Sequence, residues 1–282
     1  MKKQYFVAGA GILVVALLFI FGRTTEKKPE AAPIEASTGI KIFNAEHFID
    51  DARQKITPQQ ASYLAKLENG ISRGDVPAQQ LIAYNQLANF WKDSIKQPEP
   101  YLFYLSKASK LDNSEKSLTF AAQIFLEGLR SEQDEGRLNW LTTEAIDLFS
   151  RAIKIDPLND DLRIGLGSCF VYGKGRNGNP QETMKGIQEL LGVVRRDSNN
   201  MKAHLVLGVG GLVSGQFDKA LERFQRVVKN QPDNLEAIAY LADAYAAKGN
   251  KTEAIKWYNI SKRLANNPHY TEEVDNRINS LK

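Results

Sequence analysis

The chain has 282 residues, of which 43% are apolar and 25% charged, the balance of a folded protein rather than a disordered one. Its net charge of +4 has no concentrated pole, because residues 1–30, 31–158 and 159–282 carry +3, −3 and +4, and that argues against a nucleic-acid surface. A single cysteine, Cys169, can form neither an intramolecular disulfide nor a cysteine-based zinc site, so stability has to come from packing.

Residues 1–4, with Lys2 and Lys3, precede an uncharged stretch from Tyr5 to Gly22 that Arg23 closes. Eighteen apolar residues in a helix span roughly 27 Å, enough to cross a bilayer once. A cleaved signal peptide is the rival reading. Cleavage needs small residues just beyond the apolar core, and Phe19-Ile20-Phe21-Gly22-Arg23 supplies a poor site, which favours an uncleaved signal anchor over residues 5–22. Lys2 and Lys3 are balanced by Arg23, Lys27 and Lys28, so charge barely fixes orientation. A short N-terminal tail commonly stays in the cytoplasm, which places the C-terminal part outside, in the periplasm if the membrane is a bacterial inner membrane. Residues 23–40, with Pro29, Pro33 and several alanines, read as a flexible tether.

From residue 41 onward the pattern is helical. In the stretch 41–75, Thr57-Pro58-Gln59-Gln60 combines an N-cap, a first-turn proline and a capping-box glutamine, and starts a helix that runs to about Ser72. Over 76–157 the pattern is a degenerate repeat. Tyr84, Leu87, Ala88 and Trp91 are followed by Tyr101, Leu105, Ala108 and Asp112; a helix over Ser114–Arg130 is then separated by a longer linker containing Gln133-Asp-Glu-Gly136 from Ala145, Phe149, Ala152 and Pro157. The region 158–268 holds three clearer units. Met201–Asn234 and Leu235–Pro268 superimpose at an offset of 34 residues, with Leu207-Gly208 on Leu241-Ala242, Gly215 on Gly249, Ala220 on Ala254 and Phe224 on Tyr258. A unit beginning at Asp160 is seven residues longer, and the excess is expected in an inter-helix loop from Tyr172 to Pro180. Residues 269–282 end the chain with a short helix that caps the last unit.

The 34-residue spacing, the small residues at Gly208 and Ala220, the aromatic at Phe224 and the helix-ending Pro232 resemble the tetratricopeptide repeat family. That resemblance implies an α-α superhelical solenoid and a role in binding proteins or peptides rather than in catalysis; together with the apolar stretch 5–22 it gives an all-α fold, an N-terminal transmembrane helix followed by the solenoid. The architecture is similar to bacterial signal-anchored repeat proteins that assist translocon or envelope assembly.

No stretch carries a catalytic constellation. Gly173-Lys-Gly-Arg-Asn-Gly178 lacks the preceding strand and the Lys-Ser/Thr of a phosphate loop, and Gly208-Val-Gly210-Gly211 lies inside a helix. His47, Asp50 and Asp51 share a helical face, where a metal-dependent activity is the remote alternative to a solvated acidic face. His204 stands where a packing residue belongs, and Cys169 reads as a small core residue. No cofactor is expected. Glu272-Glu-Val-Asp275 resembles a chaperone-tail motif but is not terminal.

In the family, the first helix of each repeat lines a concave groove. Carried over, the resemblance implies a protein-binding set of Ile164, Val171, Tyr172, Lys202, Leu205, Val209, Leu212, Val213, Glu236, Ala239 and Asp243. The middle of this set is apolar and suits a partner helix or an apolar peptide. Either such a partner fills the groove, or preceding helices or residues 40–75 fold back into it. The function read from the sequence is therefore a membrane-anchored interaction scaffold at the cell envelope. The alternatives are a periplasmic holdase for unfolded clients and an organellar outer-membrane receptor with its domain in the cytosol. Oligomeric state is not specified.

Overall fold

The computed structural model describes residues 43–73, 76–176 and 179–282. Among the described residues the regular structure is helical throughout. In chain order the helices are α1 (Ala45–Arg53), α2 (Pro58–Arg73), α3 (Pro77–Asn89), α4 (Pro98–Asp112), α5 (Glu115–Ser131), α6 (Glu135–Ile155), α7 (Asp160–Ser168), α8 (Pro180–Arg196), α9 (Met201–Val213), α10 (Phe217–Asn230), α11 (Leu235–Ala247), α12 (Lys251–Ala265) and α13 (Pro268–Leu281). π-helical turns at Phe90–Ile95 and Cys169–Lys174 extend α3 and α7. The tail 1–4, the apolar span 5–22 and the tether 23–40 lie outside the described residues, within which no helix is long and apolar enough to cross a membrane.

Local sequence sets most of the boundaries. Asn44, Asn159, Asn179, Asn200, Asn234, Asn250 and Asn267 each cap a helix by accepting from backbone N–H groups of its first turn, as do Ser114 and Asp134. Each satisfies a donor that the helix cannot, a gain of about 1 kcal/mol. The capping box at α2 is formed, with Thr57 N–H donating to Gln60 Oε1 at 2.8 Å and Gln60 N–H donating to Thr57 Oγ1 at 3.3 Å. Gly215 and Gly249 turn the chain between the helices of their units at φ of 71° and 81°, where a side chain would be strained.

Helices pair in sequence, α5 with α6, α7 with α8, α9 with α10 and α11 with α12, and each pair stacks on the next. From α5 onward, first helices also touch one another, α5 to α7, α7 to α9 and α9 to α11, whereas the second helices α6, α8, α10 and α12 make no comparable contact with each other. First helices therefore form the closely packed inner face and second helices the splayed outer one. Close approach within a pair depends on small residues. A Cβ at Gly208 would lie 2.4 Å from the Phe224 ring, and one at Gly167 would lie 2.7 Å from Leu190, the equivalent contact one unit earlier.

Two expectations need correction. Tyr172, Gly173 and Lys174 are not loop, because the π turn Cys169–Lys174 carries the first helix through them and leaves only the segment from Gly175 to Asn179 as connection. The reason is packing, since a Cβ on Gly173 would sit 2.2 Å from Thr142 Oγ1 of α6. Similarly, the linker before α6 is only Glu132–Asp134. Asp134 caps a 21-residue helix that already includes Gly136. The N-terminal part that is described does not enter the stack of α7 to α11: α1 packs on α4, α2 packs on α3, and Phe43 meets Trp140 of α6 at 5.0 Å between ring centroids.

Candidate protein-binding groove

Four consecutive first helices contribute to one cleft of about 310 Å³ on the inner face: α5 supplies Gln123, Leu126 and Arg130, α7 Ile164 and Ser168, α9 Lys202 and Leu205, and α11 Glu236. The repeat register explains the convergence, because Ile164, Leu205 and Ala239 occupy the same position in successive units. Ile164 and Leu205 form an apolar floor, and both are buried. Above it, charged side chains bridge between helices. Lys202 Nζ lies 3.0 Å from Asp161 Oδ1, and Arg130 Nη1 lies 3.3 Å from Glu236 Oε1. Arg130 also stacks over the ring of Tyr172, 4.7 Å from its centroid. These exposed pairs contribute about 1 kcal/mol each at most and exchange readily for a partner's charges.

The eleven predicted groove residues separate into distinct environments. Ile164, Lys202, Leu205 and Glu236 line the cleft. Tyr172 joins it through Arg130, and burial pushes the Tyr172 hydroxyl well above the ordinary phenol range. Burial and the nearby Glu236 carboxylate likewise raise Tyr240, whose ring stacks on Phe224 at 5.6 Å. Val171 and Val209 are buried, and Val171 approaches Gly186 and Gly210. Leu212 and Ala239 are half-buried. Val213 is exposed and lies in a different cleft beside Met184. Asp243 is held within the chain, accepting from Tyr258 Oη at 2.5 Å and from Arg277 Nη1 at 2.9 Å. Sequence reading missed Gln123, Leu126 and Arg130. Their unit was hidden behind a linker read as longer than it is, although the helix over 114–130 was itself legible.

The candidate chemical groups are arranged for structure. His204 is buried, its Nε2–H donating to Ser198 O at 2.9 Å while its Nδ1 accepts from Arg223 Nη1 at 3.0 Å. Burial lowers its pKa, and the adjacent Arg223 and Arg226 guanidinium groups lower it further. Cys169 is fully buried, which pushes its thiol far above the thiolate range. His47 Nδ1 lies 3.4 Å from Asp51 Oδ2, but Asp50 turns to Arg53 at 3.1 Å. Among the described residues no group of three or more His, Cys, Asp or Glu side chains is placed to hold a metal ion.

Comparison of the sequence with curated proteins found no match. Among solved structures the chain is similar to YrrB, described as a TPR protein with an unusual peptide-binding site, at 21% identity over 70% of this chain and 92% of that one, with a TM-score of 0.43. It is also similar to MamA from Desulfovibrio magneticus RS-1, at 17% identity over 68% and 97% with a TM-score of 0.46. PilW, described as a type IV pilus biogenesis factor, is similar at 18% identity over 71% and 92% with a TM-score of 0.45. Residues 212–268, from the end of α9 through α12, match the family model of the tetratricopeptide repeat.

Proposed function

We propose that the protein is a tetratricopeptide-type interaction scaffold that receives a partner helix or apolar peptide in the cleft between α5, α7, α9 and α11. The carrying observation is that cleft, with Ile164 and Leu205 as floor and Lys202, Arg130 and Glu236 at its edge. Residues 5–22 would anchor the scaffold in a membrane, with the helical stack on the far side at the cell envelope, and the uncharged length of that segment supports this reading. The partner is a protein, not a nucleic acid.

Crosslinking in the native membrane tests this, with a photoreactive residue at Lys202, which is exposed at the edge of the floor. The expected product is one discrete adduct that is lost when Ile164→Glu puts a charge into the floor. Adducts with many unrelated proteins would overturn a dedicated scaffold in favour of a holding function, and adducts only to this chain would mean that the groove is occupied internally.

A further inference from the structure

A second trough lies on the outer face, between α8 and α10, where two adjoining clefts of about 370 and 280 Å³ share Met184, Ile187 and Gln216. Its wall on α8 is apolar. Met184, Ile187 and Leu191 follow one another at helical spacings of three and four, and Val213 continues the surface from the end of α9. Met184 is 45% exposed and Val213 is 40% exposed, so this wall is open to solvent. The floor is low because Gly211 has no side chain to fill it; a Cβ there would already be 3.1 Å from Ala220.

Repeat packing accounts for Ile187, whose counterparts Leu221 and Ile255 are also apolar, but not for the rest of this wall. At the two positions that correspond to Met184 and Leu191, the next unit has Asp218 and Gln225, and the one after it has Thr252 and Asn259. The opposite wall is equally particular to this trough. It presents Lys219 and Arg223, whereas the corresponding residues of α12 are Glu253 and Trp257. Lys219 donates only to Gln216 Oε1 at 2.7 Å and Arg223 to His204 Nδ1 at 3.0 Å, so among the described residues neither has a carboxylate partner. On the α8 side, Lys185 and Glu182 neutralise each other. The trough is thus apolar along one wall and positively charged along the other.

We propose that this trough is a second docking site, independent of the inner groove, for an amphipathic helix of a partner protein that carries acidic side chains along one edge of its apolar stripe. The apolar residues of such a helix would cover Met184, Ile187 and Leu191 over about 10 Å of α8, and its carboxylates would meet Lys219 and Arg223.

The test is fluorescence anisotropy on the full chain in phosphatidylcholine nanodiscs, with empty discs as the blank. The probes are a labelled helical peptide with leucines at i, i+3, i+4 and i+7 and glutamates at one edge, and its twin with lysines in place of the glutamates. The acidic peptide is expected to bind at least about ten-fold more tightly than its twin. Met184→Gln, at an exposed position that leaves the fold unchanged by circular dichroism, should weaken binding by about ten-fold, and Lys219→Glu should reverse the preference between the twins. Lys202→Glu, on the inner face, should change nothing, which separates this site from the groove proposed above. Equal binding of the twins would overturn the proposal, as would indifference to Met184→Gln or loss of binding in Lys202→Glu. Tighter occupation by a peptide of residues 23–42 would overturn it in favour of the chain's own segment.

Discussion

At the scale of single residues, the tight points are the small positions that let paired helices approach. Gly208 faces the Phe224 ring so closely that a methyl group requires the ring or a helix to move, and Phe224 is fully buried with nowhere to turn. Gly208→Ala should therefore destabilise the protein by about 2 kcal/mol despite its better helix propensity. Gly70→Ala is the control: a Cβ there meets nothing within 4 Å inside α2, so the same substitution should stabilise by about 0.5–1 kcal/mol. Urea unfolding followed by helix signal checks both, and equal shifts of one sign would show that propensity rather than packing decides. The buried imidazole makes a separate claim. His204 is held neutral between Ser198 O and Arg223, with its folded pKa below its unfolded value of about 6.5. The unfolded chain therefore takes up the proton first as pH falls. The resulting stability is present above about pH 6.5 and lost below it as the pH approaches the depressed folded value. His204→Gln should lose stability overall but show a shallower decline between pH 7 and 5; an unchanged slope would mean that the ring titrates alike in the folded and unfolded chain, and a steeper one that it is charged in the fold.

At the scale of elements, sequence and structure agree where a local signal exists. Asparagine before seven of the thirteen described helices, the capping box at Thr57 and glycine at the two sharp turns are short-range chemistry that can be read without the fold. The π turns are not of that kind. They open after different lengths of helix, at Phe90 following Pro77–Asn89 and at Cys169 following Asp160–Ser168. Nothing in composition distinguishes them, because the extra residue in the helix is stabilised by tertiary contacts, Gly173 against Thr142 in the second case. The same limit hid half the groove. Ile164, Lys202, Leu205 and Glu236 could be placed by repeat register, whereas Arg130 stands in α5, whose pairing with α6 across the short Glu132–Asp134 link is obscured when that link is read as longer. Asp243 was legible as a position but not as a partner of Arg277, since α13 lies outside the repeat and supplies no register. Asn234→Ala should test the local signal. Loss of the bond from Ala237 N–H at 3.0 Å is expected to cost about 1 kcal/mol and to raise amide exchange in the first turn of α11.

At the scale of the whole stack, each helix touches chiefly its sequence neighbours, so stability is shared between adjacent pairs rather than pooled in one centre. The C-terminal end has a core of its own. Ala242, Ala254, Tyr258, Val274 and Ile278 form a cluster separate from the one that runs from Ile49 to Ala244. α13 closes this smaller cluster with Val274 and Ile278, and with the Arg277 guanidinium, which pairs with both Asp243 and Glu273. Burial pulls that guanidinium's pKa down, but the two carboxylates outweigh it and hold the charge firmly. Tyr258 depends on the same node, because burial and then the Asp243 carboxylate raise its hydroxyl and keep it protonated as a donor. Ile278→Ala should remove about 2–4 kcal/mol from the local packing, and since α13 makes its element contact with α12, the loss should not spread along the stack. Hydrogen exchange is expected to rise sharply in α12 and α13, modestly in α11 and not at all in α5 to α7. A uniform rise across all helices would show that the stack unfolds as one cooperative unit, in which case the inner groove and the outer trough could not be perturbed independently.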